Sequence, residues 1–310
     1  MFKSKKLLFS LVLIVLFLML LSTQAMAADN RSEADIKSAC PFSFVNVSSQ
    51  ENVALVASYP NGTFFYTESG NWILLTPSVA YAMAFTDITG DGYCNFIASF
   101  DSGTWYVDTT GNWNLLTRAR AIAMASDHGD EFYASFPSGT WTYGYEFGWE
   151  RISTAVAHEM TMAFVVDDGY PELVASFNSG TWYMEWWWDD PYGWDWRWSR
   201  LTPSRATALV GYLDGNNDSL IHAVFPSGFW DYYPMKNDWT HWGGSNVTCM
   251  AIADMNNDNF PNLITTHYQG TWYLLWYEES PGQWNFNWHM ITPHQAISMQ
   301  GINIYPFSIK

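Results

Sequence analysis

Apolar and polar residues follow one another along this chain in short runs separated by Gly, Asn, Asp and Ser turns. Residues 82–113 contain, in order, an apolar run, an Asp/Gly loop, a second apolar run, a Ser-Gly turn, an aromatic run, a Gly-Asn turn and a final Trp. Short apolar and aromatic runs between turn residues are typical of β-strands. This stretch therefore predicts four consecutive strands that form one antiparallel sheet.

The Ser-Gly turn recurs and sets the period of the chain. Its glycine is followed by Thr or Phe and then by an aromatic residue, and the copies lie at Gly62, Gly103, Gly139, Gly180, Gly228 and Gly270. Four strands in each repeat of about 40 residues are typical of a β-propeller. We predict an all-β fold, a six-bladed β-propeller of four-stranded antiparallel blades. The fourth and sixth repeats also have a longer hairpin between their third and fourth strands.

The two ends of the chain predict how the ring closes. The segment near Ser298 repeats the first strand near Ala82, but no further repeat follows it, and the first repeat begins at Val53 with the second type of strand. We expect residues 298–304 to supply the missing inner strand of blade one, which leaves no open sheet edge at the junction. A seven-bladed ring, with residues 42–47 as an additional strand, is the alternative.

The start of the chain differs in composition from the repeats. Three Lys residues precede an uncharged apolar run and an Ala-Met-Ala sequence, the arrangement of a secretory signal peptide with cleavage after Ala27. We predict a secreted or periplasmic protein that is not inserted in a membrane after cleavage. The predicted parts are a signal peptide at 1–27, an N-terminal arm or extra edge strand at 28–50, and a propeller at 51–310. Its blades cover approximately 51–77 with 298–304, 78–118, 119–154, 155–203, 204–245 and 246–293.

The net charge of the chain limits the classes of molecule that it can bind. The chain has 13 Lys and Arg against 30 Asp and Glu, a formal charge of −17, and an acidic surface repels phosphate backbones. Nucleic acid is therefore excluded as a partner class.

The chain has three cysteines, and an odd number leaves at least one unpaired. Cys249 lies in an apolar run and is expected to be a free buried thiol, so Cys40 and Cys94 are the candidate disulfide pair.

The Asp/Gly loop of the second repeat and the loop at the same place in the sixth repeat, which has Asn where the second repeat has Gly, have side chains that suit a metal ion. Both are called Asp/Gly loops below. Oxygen-bearing residues alternate there with other residues, as expected for a Ca²⁺ site, which takes six to eight oxygen ligands. The candidate ligands are Asp87, Thr89, Asp91, the Tyr93 carbonyl and Asn95, and Asp254, Asn256, Asp258, the Phe260 carbonyl and Asn262. A weaker set in the fifth repeat is Asp214, Asn216 and Asp218. The alternative is that these loops are ordinary turns, and any Ca²⁺ is expected to be structural.

On these loops the chain resembles the FG-GAP repeats of the integrin-α amino-terminal propeller family and the related VCBS-type repeats. Those repeats have a D-x-[DN]-x-D-G-x-x-D loop between two strands of a blade and bind Ca²⁺ there. The resemblance implies a propeller with calcium loops in repeats two and six. Asn95 and Asn262 stand where that motif has its last Asp. In the fourth repeat we assign Val166 to the position of the first Asp, with Asp168 and Glu172 retained.

The longer hairpins of the fourth and sixth repeats are rich in aromatic residues. An exposed aromatic surface stacks on sugar rings or contacts a partner protein, whereas the alternative is that these rings pack between blades. The candidate ligand-binding residues are Trp187, Asp189, Asp190, Tyr192, Trp194 and Trp284.

Local catalytic motifs are missing from the sequence: no H-E-x-x-H, G-x-S-x-G or Gly-rich phosphate loop is present. Near-identical blades also suit multivalent recognition, in which weak sites act together. We predict a non-catalytic binding module whose ligand is carbohydrate. A protein partner in the extracellular space is the first alternative, and a secreted glycan-active enzyme is the second.

Overall fold

The computed structural model confirms the all-β prediction. Its described residues form six four-stranded antiparallel sheets, and the helix described among them is one 3-10 turn, Pro234–Lys236. The structure describes residues 53–126, 131–166, 168, 170–189, 193–213, 219–244, 246–258, 260–280 and 283–302. The predicted signal peptide and N-terminal arm lie outside these residues. Within them, no helix is long and apolar enough to span a membrane.

Each sheet is one blade, and its strands run from the inner to the outer edge. Blade one has the inner strand β24 (Ser298–Gly301) followed by β1 (Val53–Tyr59), β2 (Gly62–Thr67) and β3 (Trp72–Thr76). Blades two and three contain β4 (Ala82–Thr86), β5 (Asn95–Phe100), β6 (Gly103–Val107), β7 (Trp113–Thr117), β8 (Ala123–Ser126), β9 (Glu131–Phe136), β10 (Gly139–Gly144) and β11 (Gly148–Ser153). Blade four contains β12 (Glu159–Ala163), β13 (Glu172–Phe177), β14 (Gly180–Asp189) and β15 (Gly193–Thr202). Blades five and six contain β16 (Ala208–Leu213), β17 (Ser219–Phe225), β18 (Gly228–Tyr233), β19 (Asp238–Gly243), β20 (Cys249–Ala253), β21 (Asn262–His267), β22 (Gly270–Ser280) and β23 (Gln283–Thr292).

The blades form a closed ring. Each inner strand contacts the inner strand of the next blade, in the cyclic order β4, β8, β12, β16, β20, β24 and back to β4. The predicted closure is confirmed, because Ser298 pairs with Ser58 and Gly301 pairs with Leu55. Blade one is thus completed by both ends of the propeller chain, and the edge of β1 that faces β24 is paired and not left open for another chain.

The repeated Ser-Gly turn has a structural role in every blade. Its glycine has a positive φ between 124° and 138° in all six copies, a region that L-residues with a Cβ rarely adopt. A Cβ at Gly103 would also meet the carbonyl oxygen of Thr117 at 2.5 Å. In addition, the Ser99 hydroxyl accepts a hydrogen bond from the Ala121 N–H at 2.7 Å. The motif therefore closes the hairpin and holds the segment that leads to the next blade.

The inner strands contain small residues, but a large residue follows the first one in every blade. This second position is occupied by Met83, Met124, Met160, Leu209, Met250 and Met299, all buried. Each of these side chains belongs to the cluster between its own blade and the preceding one. An unbranched, flexible Met adapts to the narrow wedge between two blades, so it packs beside the axis without disturbing the ring.

The bonding states of the cysteines agree with the sequence analysis where the structure describes them, although Cys249 is only half-buried. Cys94 is disulfide-bonded, Cys249 is a free thiol at the start of β20, and Cys40 lies outside the described residues. Burial, together with the nearby Glu159, raises the pKa of the Cys249 thiol to about 12. The thiol is therefore protonated at neutral pH and chemically inert.

Candidate functional site

A cleft of about 760 Å³ opens between blades five and six. Blade five contributes its inner, middle and outer strands to the walls, and blade six contributes its Asp/Gly loop and the base of its long hairpin. Most of the lining is apolar or aromatic, with a few polar groups. This size and composition are typical of small-ligand sites in proteins, so the cleft is the candidate functional site.

Aromatic side chains form the outer wall of the cleft and cross the boundary between the blades. Trp242 of β19 lies 6.5 Å from Trp276 of β22 and 6.1 Å from Phe286 of β23, measured between ring centroids. Trp276 and Phe286 are 5.3 Å apart. These three rings and Trp288 are each between 38% and 43% exposed. Large rings held against one another yet open to solvent provide a surface for a ligand with apolar faces.

A buried polar pair lies deeper in the cleft. His222 of β17 and Asp231 of β18 are directly paired across the two strands, and His222 Nδ1 is hydrogen-bonded to Asp231 Oδ1. Both side chains are buried, with His222 5% and Asp231 2% exposed. The imidazole lies between the rings of Tyr212 and Phe229, at 5.3 Å and 5.5 Å. Its other nitrogen, Nε2, has no hydrogen-bond partner among the described residues.

The Asp/Gly loop of blade six borders the same cleft through Asp258, Phe260 and Asn262. Asn262 is turned into the blade: its Oδ1 accepts from the Met255 N–H at 2.8 Å, and its Nδ2 donates to the Leu274 carbonyl at 3.2 Å. Asp258 Oδ1 accepts from the Phe260 N–H at 2.8 Å. Asn262 therefore ties the loop to β22, which begins the long hairpin of the cleft wall.

The corresponding loop of blade two is built around Asp87. Its Oδ1 accepts hydrogen bonds from the N–H groups of Thr89, Gly90 and Asp91, and its Oδ2 accepts from Gly92. The Asp91 carboxylate accepts from the Tyr93 N–H instead. Asx turns of this kind stabilise a loop by themselves, so the loop geometry has an explanation that needs no ion.

The oxygens of the blade-two loop nevertheless include the type that Ca²⁺ prefers. Thr89 Oγ1 lies 3.3 Å from Asp87 Oδ1 and 3.5 Å from Asn95 Oδ1, so three of the predicted ligands converge. In the part of the chain that the structure describes, no three His, Cys, Asp or Glu side chains come together as a metal-binding group. A cation in this loop would therefore be bound by mixed carboxylate, hydroxyl and amide oxygens. The weaker set, Asp214, Asn216 and Asp218, lies outside the described residues.

The strand register corrects one detail of the fourth repeat. Ala163 pairs with Glu172 in the same way that Thr86 pairs with Asn95. Phe164, and not Val166, therefore occupies the position of the first Asp in this loop. Glu172 takes the place of Asn95, and its Oε2 accepts from the Val165 N–H at 2.6 Å. Burial raises the pKa of the Glu172 carboxyl to about 7.

The structure places the predicted ligand-binding residues only in part. Trp187 and Asp189 lie on β14, Trp194 on β15 and Trp284 on β23, but their side chains lie outside the described residues. The same holds for Asp190 and Tyr192 as a whole. The described base of the blade-six hairpin, with Trp276 and Phe286, does line the cleft. Two separately predicted features, the blade-six loop and its long hairpin, thus border one site.

Sequence reasoning missed His222 and Asp231. A signal was present, because the strand positions they occupy are apolar or uncharged in the other repeats: Leu-Ile-His-Ala-Val-Phe of repeat five aligns with Asn-Phe-Ile-Ala-Ser-Phe of repeat two. Comparing the repeats residue by residue, and not only their turns, identifies this exchange.

The sequence matches no protein-family profile and no curated protein. Solved structures have a similar fold. A structure of the nidogen/laminin complex matches with a TM-score of 0.53 at 10% identity, over 81% of this chain and 98% of that one. This likeness concerns the fold alone and agrees with the propeller described above.

Two further structures are less similar. The extracellular domain of a hybrid two-component system from B. thetaiotaomicron matches with a TM-score of 0.49 at 11% identity, over 78% of this chain. The present chain spans about a third of that protein's length, 34%. An ancestral GH74 enzyme matches with a TM-score of 0.47 at 11% identity, over 82% of this chain and 39% of that one.

Proposed function

We propose that the protein is an exported, non-catalytic binding module, and that the cleft between blades five and six binds carbohydrate. The observation that carries the proposal is the group of half-exposed rings formed by Trp242, Trp276 and Phe286 above a buried polar pair. Sugar rings present C–H groups on their faces and hydroxyls on their edges. A site for them therefore needs aromatic faces together with a small number of fixed polar groups.

The composition of the cleft supports a binding role over a catalytic one. Among the described residues that line it, none is Ser, Thr, Cys, Lys or Arg. The carboxylates at the cleft are Asp231, which is hydrogen-bonded to His222, and Asp258 in the loop at the border. Glycoside hydrolysis by the usual route needs two carboxyl groups directed at the substrate. Here Asp231 is hydrogen-bonded to His222, and Asp258 accepts from the Phe260 N–H and the Asn256 side-chain amide, so both carboxylates are engaged within the protein.

Calcium is part of the same proposal, as a structural ion. Asp87, Thr89, Asp91 and Asn95, with the Tyr93 carbonyl, would hold it in blade two. Asp254, Asn256, Asp258 and Asn262, with the Phe260 carbonyl, would hold it in blade six. A bound ion would stabilise each loop relative to the unfolded chain. In blade six this would fix the border of the cleft, because Asp258 and Phe260 belong to the same loop.

The test is a glycan-array screen of the mature protein, followed by titration calorimetry with the best ligand. We expect Trp276→Ala to weaken binding by about tenfold or more, as is usual when a central aromatic contact is lost. Tyr268→Ala is the matched control. Tyr268 is an exposed aromatic residue of the same blade, located in the turn at the opposite end of β21, and its loss should leave binding unchanged.

The outcome separates the candidate functions. Glycan binding that Trp276→Ala abolishes and Tyr268→Ala preserves would support a carbohydrate-binding cleft. An empty array, with and without calcium, would overturn the proposal and favour the alternative, a propeller that contacts a protein partner through the same aromatic surface.

A further inference from the structure

Blade five differs from the other blades at one pair of facing positions in its two central strands. In the other blades this cross-strand pair is apolar, aromatic or uncharged: Val56 with Phe65, Ile97 with Tyr106, Tyr133 with Thr142, Val174 with Tyr183, and Ile264 with Tyr273. Blade five has His222 with Asp231 there. The exchange puts two ionisable groups at a position that the rest of the propeller fills by packing.

In this pair, the Nε2 atom of His222 has no hydrogen-bond partner among the described residues. A carboxylate can only accept hydrogen bonds, so His222 Nδ1 must be the protonated nitrogen in its contact with Asp231. In the neutral ring Nε2 then has a free lone pair and acts as an acceptor. That atom is buried without a partner among the described residues, and His222 is part of the cleft lining.

A buried acceptor without a partner destabilises a fold, because it has lost its hydrogen bonds to water. Five blades avoid this cost at the same position. A group that enters the cleft and donates an O–H to Nε2 would satisfy the atom. The rings of Tyr212 and Phe229 hold the imidazole from both sides, so Nε2 is fixed in place before a ligand arrives.

Charge narrows the ligand class further. No Lys or Arg occurs among the described residues of the lining, whereas Asp231 and Asp258 do, and the whole chain carries a formal charge of −17. An anionic sugar would meet carboxylates without a Lys or Arg side chain to pair with it, which is unfavourable in a partly buried site. A neutral sugar meets no such penalty.

We propose that His222 is the polar anchor of the cleft: its Nε2 accepts a hydrogen bond from a hydroxyl of a neutral sugar, while Asp231 holds the ring in the tautomer that makes this possible. The inference rests on the proposed carbohydrate-binding function and adds the recognition group and the ligand class. Acidic sugars, such as uronates, are excluded from the site.

The double variant His222→Ile with Asp231→Tyr tests the anchor. It installs the Ile and Tyr pair that blade six uses at the same positions, so the blade should fold, and an unchanged near-ultraviolet circular dichroism spectrum checks this. His222→Gln is the second variant, because its amide oxygen retains an acceptor of similar reach. The probes are cellohexaose, maltohexaose, xylohexaose, mannohexaose and chitohexaose, with hexagalacturonate as the acidic counterpart.

We expect at least one neutral oligosaccharide to bind, hexagalacturonate to bind at least tenfold more weakly, and the double variant to lose at least tenfold in affinity. His222→Gln should lose less than the double variant. In addition, the ¹⁵N resonance of the unprotonated His222 nitrogen in the wild-type protein should move when the sugar is added. A role limited to folding would not produce this shift.

Different results would contradict the proposed function, the His222 anchor and the neutral ligand class. If no oligosaccharide binds the wild-type protein, the proposed function fails and this inference fails with it. If a neutral sugar binds and Trp276→Ala abolishes binding, but the double variant binds normally, the function stands and the His222 anchor is overturned. Equal affinity for hexagalacturonate would overturn the neutral ligand class.

Discussion

The side-chain amide of Asn95 donates a hydrogen bond to the carbonyl oxygen of Val107 across 3.2 Å. Its amide oxygen accepts from the Ile88 N–H at 3.1 Å. One buried side chain thus joins the Asp/Gly loop of blade two to the third strand, and Asn262 does the same in blade six. The FG-GAP motif that these loops resemble has Asp at this position. An amide can both accept and donate here, whereas an ionised carboxylate can only accept.

This relationship predicts the effect of replacing Asn95 by Asp. The carboxylate would retain the contact with the Ile88 N–H, but would face the Val107 carbonyl without a hydrogen to donate. We expect Asn95→Asp to lower the free energy of unfolding by about 1–3 kcal/mol, measured by urea denaturation in the presence of a chelator. Asn112→Asp, at an exposed turn of the same blade, is the control. Equal midpoints for Asn95→Asp and the wild type would contradict the assignment.

Calcium should raise the melting temperature of the protein. If the loops of blades two and six bind Ca²⁺, the ion stabilises the native state, and the melting temperature rises with its concentration. We expect Asp91→Ala and Asp258→Ala each to reduce this rise, and differential scanning calorimetry with calcium and with chelator measures it. Identical melting curves in the two conditions would show that the loops are turns held by their own hydrogen bonds.

The turn glycines should resist substitution. Gly103→Ala places a Cβ at a φ of 126° and within 2.5 Å of the Thr117 carbonyl oxygen. We expect a loss of about 1–3 kcal/mol of stability from the backbone strain, with more from the close contact. Gly244→Ala is the control, because a Cβ there has no heavy atom within 4 Å. Similar stabilities of the two variants in thermal denaturation would refute the role of the turn.

Glu159 should make the stability of the propeller depend on pH. It begins the inner strand β12 at a position where the other blades have Ala82, Ala123, Ala208, Cys249 and Ser298. Burial raises the pKa of the Glu159 carboxyl from 4.5 to about 8, although Arg205 acts in the opposite direction. The folded chain therefore binds this proton more tightly than the unfolded chain, and the Glu159 contribution to stability falls as pH rises from about 4.5 to 8.

The variant Glu159→Gln lacks the titratable carboxyl, so a comparison with the wild type measures the contribution of Glu159 to stability at each pH. We expect the difference in melting temperature, variant minus wild type, to increase between pH 5 and pH 8, because only the wild type must bury a charge at the higher pH. A constant difference between pH 5 and pH 8 would mean that the Glu159 carboxyl titrates at its ordinary value.

The repeat, the strands and the ring could be predicted from the sequence alone. A strand is specified by residues next to one another in the chain, and a turn by two to four residues, so alternation and turn chemistry predict both. The glycine at position 103 and its five equivalents could be assigned a positive φ for this reason. Closure of the ring by the strand that begins at Ser298 also followed from the sequence. That strand belongs to no further repeat, and the inner strand of blade one was the one strand missing from the ring.

The candidate site could not be predicted from the sequence, because its residues come together only in the folded ring. Trp242 and Trp276 belong to different blades and meet because the ring sets the angle between neighbouring sheets, which no local pattern encodes. His222 and Asp231 are nine residues apart in the chain. They face one another because the register of the β17–β18 hairpin pairs position 222 with position 231. Residues brought together by register and by ring closure depend on the whole packed chain, whereas strands and turns depend on their immediate neighbours.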